Sequence, residues 1–116
     1  MITRITITKM EISQYKIVLV NPGNDAGIES KSTAQCVVIS PDEINRNLKT
    51  VTVAPLISDS EGYPTRVKVK INNKFGRVVL DQIMTIEKQR IIKVAGELTG
   101  TEIKKIKSVL KETFID

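Results

Sequence analysis

The sequence predicts a mainly β fold: a small, strongly curved sheet or barrel with a short internal helix and a C-terminal α-helix. Short runs rich in Ile, Val and Thr alternate apolar with polar residues along most of the chain. Two Phe, two Tyr and no Trp stand among 41% hydrophobic residues, so the core must rest on β-branched side chains that suit a pleated surface. Only the last segment changes to helical spacing. At 116 residues the chain has the size of one domain, and it should bury roughly two-thirds of its unfolded surface without staples.

Residues 2–9 alternate Ile with Thr, Arg and Lys, the pattern of an edge strand. Tyr15–Val20 reads as a stronger strand running into the turn formers of 21–27, and residues 21–35 read as one long loop. Cys36–Ile39 resumes as a buried strand. Ser40, Pro41 and Glu43 then have the spacing of a capping box, with Ser40 as N-cap of a helix ending near Asn45–Asn47. Thr50–Pro55 is the next strand, ended by its proline. Thr65–Ile71 alternates with Val67, Val69 and Ile71 inward and basic residues outward. Asn72–Gly76 reads as the hairpin connection to a strand over Arg77–Ile83, and a short strand follows at Arg90–Val94. Thr99 and Glu102 form another capping box, opening a helix with Ile103, Ile106, Val109, Leu110 and Phe114 on one face. Lys104, Lys105, Lys107 and Lys111 occupy the other, as a solvated surface more than a ligand site.

Several chemistries fall away at once. A single cysteine, Cys36, excludes an internal disulfide and a Cys-rich zinc site, and its apolar run makes it a small buried hydrophobe. The chain has no histidine, so it lacks the commonest general base and the commonest metal ligand, and neither metal nor cofactor is expected. No apolar run approaches the ~20 residues of a membrane span, and the alternating N-terminus is no signal peptide, so a cytoplasmic location away from membrane is the default. Eighteen basic against thirteen acidic residues give a net charge of +5, which suits a polyanionic partner or simply solubility.

The ordered blocks Cys36–Val51, Val53-Ala54-Pro55, Tyr63–Val67 and Val79-Leu80-Asp81-Gln82-Ile83 resemble the MazF/PemK (Kid) toxins. Tyr15–Asn21 resembles that family's opening strand and Leu98–Leu110 its closing helix. The likeness covers nearly everything after residue 12, leaving 1–12 as an extra strand-like segment of a single domain over 1–116. It implies an SH3-like barrel with an appended helix, usually a homodimer. It also implies an mRNA interferase: metal-independent cleavage of single-stranded RNA, restrained by a small acidic antitoxin whose disordered tail fills the RNA groove.

That chemistry needs a base for the 2′-hydroxyl, an acid for the leaving 5′-oxygen and a donor for the pentacovalent phosphate. Aligned through Gly27, Glu29, Thr33 and Cys36, the family's arginine of an Arg-Pro pair falls on Ala34. Its hydroxyl donor, a threonine after Val-Ala-Pro, falls on Ile57. A basic residue that often follows Asp-Gln-Ile is replaced by Met84. Losing one such donor typically costs 10²–10³ in rate, so the sequence implies weak or absent catalysis. The groups left for the chemistry are Glu29, Ser58 and Asp81, and for holding RNA Gly27, Lys31 and Gln82. Four of these six carry a plainer reading or a geometric objection. Gly27 serves the backbone, Asp81 and Gln82 make a strand-end turn contact, and Ser58 reaches the site only if the strand slips by one residue. Arg66 and Arg77 read as outward strand positions. The alternative to an enzyme is a non-catalytic module that binds RNA or an antitoxin in the same barrel; a gyrase-poisoning role rests on fold analogy alone.

Overall fold

The structure, a computed structural model, describes residues 11–21, 33–58 and 62–115. The strand expected at 2–9 lies outside them. Seven antiparallel strands form one curled sheet: β1 (Lys16–Val20), β2 (Ala34–Val38), β3 (Thr50–Ile57), β4 (Arg66–Ile71), β5 (Lys74–Val79), β6 (Met84–Glu87) and β7 (Ile91–Glu97). Their order is β4-β5-β3-β2-β1-β7, with β6 paired to the first half of β3. Helix α1 (Asp42–Asn47) joins β2 to β3, and α2 (Gly100–Leu110) closes the chain before a wider last turn over Lys111–Ile115. The result is a half-barrel with a C-terminal helix, as the sequence predicts.

Alternation along the central strands sends successive residues to two cores. Ile17, Val37 and Ala54 pack with Val67, Val69, Val78, Leu80 and Ile106 on the side covered by α2. Val18, Cys36, Val38, Val51 and Val53 pack with Ile86 and Ile91 on the other. Cys36 is buried as expected, and burial pushes its thiol up to about 11.

Local chemistry departs from expectation where tertiary contacts compete for the same atoms. Ser40 does not cap α1; Pro41 is the N-cap, and no side chain caps the helix. The buried Ser40 hydroxyl instead donates to Asn45 Oδ1 at 2.6 Å and accepts from the Thr52 N–H at 3.0 Å. Pro55 does not end its strand. It falls between the β3 segment paired with β6, which stops at Val53, and the segment paired with β5, which starts at Leu56. On that side no ladder bond is missed for want of an N–H. The hairpin loop is tighter than expected, because Asn72 and Asn73 both adopt positive φ (52° and 66°), the two-residue turn that matches strand twist. Strand β5 therefore begins at Lys74 and gives way at Leu80 to a short 3₁₀ turn over Leu80–Gln82, while Met84–Glu87 forms an extra strand. The capping box of α2 is present, with Thr99 and Glu102 exchanging both bonds. Its Phe114 is exposed, because the widened turn carries it off the buried face of Ile106.

Candidate functional site

Ala34 and Ile57, the positions that the sequence resemblance pairs with the family's catalytic groups, lie on a rim at the open ends of β2 and β3. Gln35 pairs with Leu56, so the next step of the register sets Ala34 beside Ile57. Their parity matches Cys36 and Pro55, so both belong to the side of the second core, at its exposed end. Ala34 is exposed and Ile57 is 40% exposed, so neither is held there by burial. Neither carries a polar side-chain atom. Ser58 lies one residue past the end of β3, with the opposite parity to Ile57.

A guanidinium does stand nearby, on a different strand. Ile57 pairs with Arg77 of β5, so the two side chains share a face. Gly76 lets β5 come this close to β3, since a Cβ there would sit 3.3 Å from the Ile57 carbonyl oxygen. The Arg77 guanidinium lies flat over Gly62: a Cβ on that glycine would meet Cζ, Nη1 and Nη2 at 3.5 Å each. Arg66 and Arg77 do point away from the α2 core, but the face they occupy is the one that carries Ile57. Strand periodicity gave that parity; the β3–β5 pairing that brings Arg77 to the rim is a long-range register no local pattern displays.

Asp81 lies beyond the end of β5, in the 3₁₀ turn over Leu80–Gln82. Its Oδ1 accepts from the Thr65 hydroxyl at 2.8 Å and faces Arg66 Nε at 3.5 Å. The Thr65 hydrogen bond holds its carboxyl below the usual range; partial desolvation opposes this and Arg66 adds to it. An ionised, hydrogen-bonded carboxylate of this kind is a poor general base and no general acid near neutral pH. Gln82 follows in the same 3₁₀ turn and is exposed, and the exposed Met84 pairs with Val53. The structure thus brings Ala34, Ile57 and Arg77 together and sets Asp81 with Thr65 and Arg66. Gly27, Glu29 and Lys31 lie outside the described residues. Among the described residues no cluster of His, Cys, Asp or Glu could hold a metal ion.

A curled half-barrel with a closing helix is the fold of a known class of protein. The chain matches the family model described as PemK-like, MazF-like toxin of type II toxin-antitoxin system over residues 13–114. It belongs to that family. None of the curated proteins matches it. Solved structures similar to it include a MazE–MazF complex from Deinococcus radiodurans, with TM-score 0.74 and 20% identity over 87% of this chain and 93% of that one. An endoribonuclease in complex with its cognate antitoxin from Mycobacterial species gives 0.73 and 21%, over 86% and 91%. The Mycobacterium tuberculosis toxin MazF-mt6 gives 0.69 and 19%, over 85% and 95%. At these identities the likeness is one of fold. Among the described residues no helix is long and apolar enough to cross a membrane.

Proposed function

We propose that this toxin-family chain grips single-stranded RNA and a small acidic antitoxin, and cuts RNA weakly or not at all. The observation that supports this most is the Ala34–Ile57 rim, apolar where the resemblance would set transition-state donors, with Arg77 the guanidinium beside it among the described residues. Arg77 can hold a phosphate by a forked contact. Two groups that could have moved a proton are poorly suited to it: Asp81 is held ionised and the Cys36 thiol is buried and too weak an acid, and the chain has no histidine. The structurally similar endoribonuclease in complex with its cognate antitoxin supports both partners, and we propose homodimerisation in the cytoplasm as the assembly and location.

The test is to incubate purified protein with a mixed single-stranded RNA pool and chelator, measuring binding against salt and new 5′-hydroxyl ends. Salt-sensitive binding with few or no new ends is expected. Efficient cleavage would refute the loss of catalysis. Failure to bind either RNA or a small acidic protein encoded beside it, at low micromolar concentration, would refute the whole reading.

A further inference from the structure

The side of the β4–β5 hairpin that faces away from α2 carries a row of groups extending outward from Arg77 at the rim. Arg66 pairs with Val79, Lys68 with Arg77 and Lys70 with Phe75, and paired residues share a face. Three successive rungs therefore present Arg66, then Lys68 with Arg77, then Lys70 with Phe75. Each alternates with Val67, Val69 or Val78, which point into the α2 core. The Lys70 N–H is bonded to Glu102 Oε2 of the α2 capping box at 2.9 Å, so the helix clamps this edge strand from behind and leaves the row in front open.

Three features of the row point to a ligand. Lys68 and Arg77 are register partners, so one rung of this face carries two cations. Among the described residues neither has a carboxylate partner, the recorded ion pairs being Lys16–Glu97 and Arg66–Asp81. Phe75, in a chain with four aromatic residues, is 55% exposed, with Lys68 Nζ 4.4 Å and Lys70 Nζ 5.5 Å from its ring centre. At the other end Arg66 lies 4.8 Å over the ring of Tyr63, itself 51% exposed. Cations interleaved with exposed rings along an extended strand are what a single-stranded nucleic acid needs: charges for the backbone and flat faces for the bases. A purely acidic peptide would use the charges and leave the rings idle.

Resting on the RNA-gripping reading above, we propose that the row Lys68–Lys70–Phe75 is a second RNA subsite. It carries the strand outward from Arg77 toward the hairpin tip, with one base stacked on Phe75 and phosphates held by the two lysines. The subsite lengthens the grip without touching the chemistry.

The test is fluorescence anisotropy with a labelled single-stranded RNA of about twelve nucleotides and another of about four, run against salt, on the full chain. Phe75→Leu keeps an apolar side chain and removes the ring; it is expected to weaken the longer RNA by about five- to a hundredfold and the shorter one little, with Phe75→Tyr restoring affinity. Lys68→Gln with Lys70→Gln is expected to reduce the magnitude of the salt slope by about 1.4, two charges at about 0.7 each. These residues are on the surface, and an unchanged thermal melt confirms folding. Wild-type affinity in the Phe75→Leu variant and in the double lysine variant, with loss only in Arg77→Gln, would overturn the subsite and leave the proposed function standing. Poly-glutamate binding that needs the two lysines, with RNA binding that does not, would also overturn it. No RNA binding by the unmodified protein would instead remove the reading on which the subsite rests.

Discussion

The β2–β3 rim and the β4–β5 outer face lie side by side, joined by the Ile57–Arg77 pair, yet their chemistry is opposite. The rim offers a methyl group and a sec-butyl group at Ala34 and Ile57. The hairpin face offers Arg66, Lys68, Lys70 and Arg77 on three rungs. Holding a polyanion needs only positive charge in roughly the right place, whereas cleaving it needs donors placed to within a fraction of an ångström of developing charge. The contrast teaches that gripping and cutting are separable demands, and the function proposed above assigns this chain the tolerant one without the exacting one.

The strongest way to break that contrast is to make the rim reactive. Ala34→Arg with Ile57→Thr restores both donors at exposed positions, and RNA cleavage should rise by at least about 10²–10³-fold, with toxicity on expression. A folded double variant that produces no new 5′-hydroxyl ends would show that the family's site does not lie at Ala34 and Ile57. The complementary change works on the hairpin face: Arg77→Gln should weaken RNA binding by about tenfold at moderate salt and reduce the magnitude of the salt slope by about 0.7. A titration series in salt checks both numbers.

How far these regions could be read from the chain differs for physical reasons. The core positions Val67, Val69 and Ile106 announce themselves by period, because burial on one face forces apolar residues to recur every second or every third to fourth place. The Thr99–Glu102 box is equally local, since both partners lie within one helical turn. Ser40 misled because its hydroxyl is claimed by Asn45 and Thr52, a contact set up by folding. Pro55 misled because its missing N–H falls in a gap between partners that are distant in sequence. The vacancy at Ala34 and Ile57 was legible only through family resemblance. The nearness of Arg77 was not legible at all, since it depends on β5 pairing with β3 and on Gly76 permitting that approach.

Asp81 gives a smaller test of the boundary between the two regions. Its folded carboxyl titrates below the unfolded value, so the stability it contributes is fully present above the ordinary carboxylate range and is lost as pH falls through the lowered folded value. Thermal melts from neutral pH down to about 2, spanning the unfolded carboxylate value near 3.9, should therefore show a step in acid that Asp81→Asn removes, with no change near neutrality. A step that survives in Asp81→Asn would assign the acid sensitivity elsewhere. The smallest effect is expected at Cys36. With its thiol buried and pushed up to about 11, it should resist alkylation at pH 8 in the folded protein and react only on unfolding. Cys36→Ala should leave RNA affinity unchanged, since the side chain is buried within the second core and reaches no surface.

The most direct measurement places the unmodified protein in excess over a single-stranded RNA, with chelator present, and follows bound fraction and 5′-hydroxyl ends in the same sample. Retention of intact RNA that washes off with salt is the expected result. Rapid appearance of 5′-hydroxyl ends, abolished by Arg77→Gln, would contradict it and make that guanidinium the working donor of an active nuclease.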